Sequence, residues 1–163
     1  MKKALQAIAL TLVFTFAIMV FYAFKTKESL SVAKAKAYSD TLNLSAHKGK
    51  VVVINFWASW SKASRSENKN VVRLYEKYRQ HPKLAFVSVS LDTDDKAWKQ
   101  AVEEDEMIWA DHVCDLKKYT SPIALKYGVK TLPRIVVIDS KGNIHISGNN
   151  MAEVESAIET LIK

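Results

Sequence analysis

Hydrophobic positions follow three rhythms along this chain: one long unbroken run near the start, short β-branched runs further on, and three-and-four spacings between them. Tyr38 to Leu44 reads as a short edge strand, and Lys48-Gly49-Lys50 as the turn after it. Val51-Val52-Val53-Ile54-Asn55-Phe56-Trp57 is apolar on both faces, which predicts a central parallel strand. From about Lys62 to Arg79, Val71, Val72, Leu74, Tyr75 and Tyr78 fall on one helical face, and His81-Pro82 closes the helix. Leu84 to Ser90 predicts a second buried strand, and Asp92-Thr93-Asp94-Asp95 offers cap oxygens to a helix carrying Ala97, Trp98, Ala101 and Val102. Trp109 to Val113 predicts another short strand. A short helix opens at Ser121-Pro122, where a missing N–H costs nothing, and ends at Tyr127-Gly128. Val129 to Asp139, a hairpin turn at Ser140-Lys141-Gly142-Asn143, Ile144-His145-Ile146 and an amphipathic helix over Met151–Lys163 complete the chain. Strands joined by helical crossovers and finished by a hairpin make an α/β domain with a central mixed sheet flanked by helices.

The long run is different in kind. Ala4 to Phe24 carries no charge and follows Met1-Lys2-Lys3. About 20 apolar residues in a helix span a bilayer core of roughly 30 Å. A cleaved signal has a shorter apolar region with a small-residue site directly after it. Lys25, Lys27 and Glu28 follow here instead, which favours an uncleaved transmembrane helix over a signal peptide. Residues 1–24 are thus expected to form a membrane anchor or signal segment, 25–37 a polar linker, and 38–163 the folded domain. Lys2 and Lys3 argue for a cytoplasmic N-terminus, though lysines compete on the other side.

Charge and cysteine usage narrow the chemistry. The formal charge of +7 resides mainly in residues 1–36, which hold six lysines against Glu28. The domain itself lacks the basic groove that nucleic acid requires, and no nucleic-acid partner is expected. Cys114 is the single cysteine, so no intramolecular disulfide or multi-cysteine metal site exists. No metal or cofactor is expected.

Between the first strand and its helix lies Phe56-Trp57-Ala58-Ser59-Trp60-Ser61-Lys62-Ala63-Ser64-Arg65-Ser66-Glu67. A strand turning sharply into a helix aims free N–H groups at whatever occupies the turn, a setting that lowers the pKa of a thiol. This run resembles the F-W-A-x-W-C-x-x-C segment of thioredoxin-like proteins, above all the TlpA-like thiol–disulfide oxidoreductases of bacterial envelopes. Gly49-Lys50, Ser90-Leu91-Asp92 with Trp98, and Tyr127-Gly128-Val129 through Thr131-Leu132-Pro133 to Ile138-Asp139 extend the resemblance across the domain. It implies a thioredoxin-like fold with a cis bond before Pro133, and a domain outside the inner membrane. That location is a single-pass protein facing the periplasm, or a secreted one if the leading segment is cleaved.

The departures from that family are concentrated in the turn. Ser61 and Ser64 stand where the two redox cysteines would be, Lys62-Ala63 replaces the intervening pair, and Lys69 replaces a frequent helix-kinking proline. So broad a change resembles natural drift more than a designed sulfur-to-oxygen swap. Dithiol exchange needs an attacking thiolate and a resolving thiol, and serine supplies neither. A serine nucleophile needs a base within reach, and His47, His81, His112 and His145 all lie outside the motif. Ser61 and Ser64 are therefore expected to cap the helix, Ser64 with Glu67 as a capping box. Lys62 and Arg65 either meet an anion at the helix start or form a solvated first turn. The resemblance gives Glu67 an accessory place, since the matching acidic position in envelope members takes part in proton handling. Cys114 reads either as a small buried apolar residue or as a lone reactive thiol. Trp57 and Trp60 match the aromatics around the family's turn, and packing is expected for most of the tryptophans.

What outlives the cysteines is a surface. In the family, the residue before the cis-proline (here Leu132) pairs through its backbone with an extended substrate peptide, by strand addition. The leading expectation is a membrane-tethered thioredoxin-like module without dithiol activity. It binds an extended protein segment or envelope partner on Trp60, Ser61, Ser64, Leu132 and Pro133. The alternatives are a thiol–disulfide oxidoreductase working through Cys114 or a partner's thiols, and a serine hydrolase on the same turn.

Overall fold

The computed structural model describes residues 37–163 and, ahead of them, Ile18 and Met19 in helical conformation. The chain divides into two compact units, Met1–Ala35 and Lys36–Lys163. Ala37, expected to end the linker, instead begins the first strand; apart from it and those two residues, the anchor and linker expected over 1–37 lie outside the described residues. Among the described residues no helix is long and apolar enough to cross a membrane.

The second unit is built on one six-stranded mixed sheet in the order β1-β4-β3-β2-β5-β6. The strands are β1 (Ala37–Ser39), β2 (Val51–Trp57), β3 (Leu84–Ser90), β4 (Asp111–Cys114), β5 (Arg134–Ile138) and β6 (Ile144–Gly148). The helices are α1 (Lys62–Tyr78), α2 (Asp95–Glu104), α3 (Pro122–Lys126) and α4 (Met151–Leu161). β2 is central, but it is parallel only to β3 and runs antiparallel to β5. Its run of β-branched residues therefore reports burial on both faces rather than a purely parallel setting.

Alternation along β2 divides the interior in two. Val51, Val53 and Trp57 join a core with Val71 and Leu74 of α1, Trp98 and Val102 of α2, and Val154 and Ile158 of α4. Val52, Ile54 and Phe56 point the other way, to Ala124 of α3, Tyr127 and Val129. Burying a side chain as large as Trp57 is worth several kcal/mol, roughly 3–5 by truncation to alanine.

Some boundaries move from those the pattern predicts. The edge strand is confined to Ala37–Ser39, and a 3-10 turn over Leu44–His47 takes up the rest, capped by Asn43. β4 begins at Asp111, because Trp109 is drawn into the core with its indole N–H on Ser88 Oγ at 2.9 Å. β5 starts only at Arg134, since 129–133 forms the loop that carries a cis Leu132-Pro133 bond. The helix after β3 takes its cap from Asp94 alone, whose side chain accepts from Lys96 N and Ala97 N. Asp92 is used elsewhere.

Candidate functional site

The turn is built at the C-terminal end of β2. Leu91 N donates to the Trp57 carbonyl at 2.8 Å, and Ser61 N donates to the Ala58 carbonyl at 3.1 Å. Between them Ser59 is clamped by Asp92, which accepts the Ser59 N–H at 2.9 Å and its hydroxyl at 2.6 Å. Asp92 is buried and also accepts from Ser90 Oγ. One carboxylate thus fixes the loop leading to the helix, and its position in a run of acidic residues disguised that role.

Ser61 holds extended backbone at φ −89° and ψ 103° and is the N-cap of α1. Its Oγ accepts the Ser64 N–H at 3.2 Å and the Ser64 hydroxyl at 2.9 Å. The expected box of Ser64 with Glu67 does not form. Because Ser61 takes the cap, Ser64 becomes the third helical residue and Glu67 falls a turn too far along to reach back. Glu67 is half-buried, and its Oε1 has no hydrogen-bond partner. Arg65 is not free for an outside anion either. It binds Asp105 at 2.6 Å and Glu104 at 2.9 Å, and these contacts, Asp105 first, raise its pKa further. Lys62 remains exposed at the helix start.

The second wall follows from strand register. β2 and β5 pair antiparallel with Phe56 opposite Arg134, so the Leu132-Pro133 loop meets the end of β2 from which the serine turn departs. Leu132 packs against the core that contains Phe56 and Ala58, and both Leu132 and Pro133 stay half-exposed. Trp60 is 49% exposed, the one large aromatic so open among the described residues. Its ring lies 6.3 Å from Tyr119, edge to face, with Lys118 Nζ 5.1 Å from its centroid.

Trp57, Trp98 and Trp109 are buried, as packing predicts. Cys114 is 5% exposed, donates to the Asp92 carbonyl at 3.6 Å, and has its thiol pKa pushed up by burial. Such a thiol is a poor nucleophile. The histidines stand apart from the serines. His47 faces Asp111, His81 Nδ1 accepts from Lys83 N, buried His112 sits on the Trp109 carbonyl, and His145 lies on edge strand β6. Ser61 Oγ has a cap to hold and no imidazole on it, so the hydrolase reading loses its geometry.

A polar chain beneath the turn escapes the hydrophobic pattern. Asn55 on β2 donates to Asn68 on α1, and Asn68 donates to Asp105, which also receives Arg65. The available signal was Asn55 itself, an amide in a strand otherwise apolar on both faces. No group of histidine, cysteine and acidic side chains among the described residues is arranged to hold a metal ion.

Known proteins share this architecture. A Bacillus subtilis thioredoxin-like protein, YneN, is 30% identical over 122 residues, covering 69% of this chain and 65% of its own length. The thiol-disulfide oxidoreductase ResA of Bacillus cereus is 28% identical over 103 residues, 63% of this chain and 57% of its own. This chain therefore spans less than two thirds of the length of these relatives. Among solved structures, a thiol-disulfide oxidoreductase from Bacteroides fragilis superposes with a TM-score of 0.62 at 28% identity. That match covers 67% of this chain and 82% of the other. The thioredoxin-like family model matches residues 49–144, from the turn before β2 to the start of β6, and the chain belongs to the thioredoxin-like family.

Proposed function

We propose that this chain is an envelope-facing, membrane-tethered thioredoxin-like module that captures an extended protein segment and exchanges no disulfides. The observation that carries this reading is the pair Ser61 and Ser64, whose hydroxyls bond to each other at 2.9 Å while capping α1. Oxygen at both positions leaves neither an attacking nor a resolving thiol. Cys114 does not replace them, being buried with its pKa raised. Capture needs only surface: Trp60 and Ser61 on one side, the Leu132 backbone and Pro133 on the other, and a guest strand between them. Ser64, expected on that surface, is fully buried because its hydroxyl turns in to Ser61, and it supports the wall from beneath. The uncharged run Ala4–Phe24 supports the tether, and the kinship with thiol-disulfide oxidoreductases supports the outward placement. No cofactor takes part.

The test is a pair of measurements on the full chain. Insulin reduction with dithiothreitol is expected to run at the uncatalysed rate. Crosslinked envelope partners are expected to be recovered with the parent chain and lost with Leu132→Asp. Catalysed reduction that survives Cys114→Ser would overturn the redox half, and a partner set unchanged by Leu132→Asp the capture half.

A further inference from the structure

The face beside the serine turn has a chemistry of its own. Trp60 projects with Lys118 over its ring, and Tyr119 closes one edge. The segment after β4 then presents Leu116, 42% exposed, and Lys117 and Lys118, both exposed. Leu116 and Lys118 hold left-handed backbone at φ +59° and +54°, a conformation that side-chain-bearing residues rarely adopt. The fold thus maintains a costly backbone course that puts a leucine and a lysine outward next to the one open tryptophan.

Three ammonium groups add to this face. Lys62, Lys117 and Lys118 are exposed and none is in an ion pair, whereas Arg65, also in the first turn of α1, is matched by Asp105 and Glu104. Of the nearby acids, Asp115 accepts the Lys117 backbone N–H, Asp92 is buried against Ser59 and Ser90, and Glu67 is half-buried on α1. An exposed aromatic flanked by unmatched ammonium groups complements a chain that brings carboxylates and an apolar side chain together.

We propose that the segment captured at this turn is acidic: an extended peptide with carboxylates for Lys62, Lys117 and Lys118 and an apolar side chain for Trp60 and Leu116. This rests on the capture reading above and adds the chemistry of the guest.

The experiment uses the full chain in detergent and three fluorescein-labelled ten-residue peptides alternating leucine with glutamate, glutamine or lysine, followed by anisotropy. The glutamate peptide is expected to bind at least about tenfold more tightly than the lysine one, a difference that shrinks as salt screens it. Lys117→Glu with Lys118→Glu is expected to reverse the preference, and Lys141→Glu, on the distant β5–β6 turn, to leave it intact. Equal affinity for all three peptides, or a preference untouched by the double reversal, overturns the acidic guest while capture stands. Binding of none overturns both.

Discussion

Asn55 and Asn68 join the central strand to the helix that begins at the serine turn, side-chain amide to side-chain carbonyl at 2.9 Å, with both residues buried. Asn68 passes the connection on to Asp105 at 2.7 Å, just past α2, and Arg65 closes it from the first turn of α1. Strand, helix start and the end of the next helix are thereby fixed through directional bonds, where apolar packing alone would allow sliding.

Asn68→Ala removes the middle of this chain. It leaves the Asn55 amide with no acceptor and takes one donor from Asp105, whose side chain is only 7% exposed. Stranding buried polar groups costs about 1–3 kcal/mol, and urea unfolding of the variant is expected to show a loss in that range. A double-mutant cycle with Asn55→Ala is expected to be strongly non-additive because the two residues share one bond. Additive losses would mean that the amides are satisfied independently.

The two serines are predicted to differ in weight. Ser61→Ala removes the acceptor for the Ser64 N–H and is expected to cost about 1 kcal/mol, the usual value of an N-cap. Ser64→Ala keeps that N–H bond and loses only the hydroxyl–hydroxyl contact, so thermal unfolding is expected to show the smaller change. Ser61→Asp, which also caps, is expected to restore most of the loss. The reverse order would move the cap to Ser64.

Much of this is legible in the sequence. The β-branched run of β2, the period of α1 and the Gly128 cap are local signals, and each agrees with the tertiary setting. Serine at both motif positions was equally plain. The pattern does not single out the capping partner, because Ser61-x-x-Ser64 and Ser64-x-x-Glu67 are both well-formed starts, and only the extended backbone at Ser61 decides between them. Asp92 hides for a related reason: four consecutive polar residues can all cap a helix, and what singles it out is Ser59, 33 positions earlier. Long-range polar pairing leaves no periodic trace. The left-handed course at Leu116 and Lys118 has no glycine to announce it.

Cys114 is expected to be nearly silent toward Ellman's reagent in the native chain and fully reactive in urea. The linkage has a definite sign. Its pKa is raised in the fold by burial, so the native state keeps a proton that the unfolded chain gives up. Its contribution to stability is whole below the ordinary thiol pKa of about 8.5 and declines as pH climbs through the window above it. Tyr75 and Tyr127, also raised by burial, extend the decline beyond about pH 10. Unfolding free energies at pH 7 and pH 10 are expected to differ less in Cys114→Ser than in the parent. Rapid native labelling at neutral pH would instead make Cys114 a usable thiol and revive the redox reading.

The sharpest test puts sulfur back. In the Ser61→Cys, Ser64→Cys double variant the first thiol sits at the N-cap of α1, where unpaired N–H groups and the helix dipole favour a thiolate. The second sits three residues on, its side chain already within bonding distance of the first. Lys62, exposed beside them, lowers the pKa further. The variant is expected to form an internal disulfide and to accelerate insulin reduction by dithiothreitol, while each single variant forms mixed disulfides and turns over nothing. Activity in the double variant means that the strand, turn and cis-proline loop retain working geometry and that the parent chain lost only its reactive atoms. A double variant that oxidises yet stays inactive would show that the surroundings drifted as well. Lys62-Ala63 and Lys69 would then be the positions to examine next.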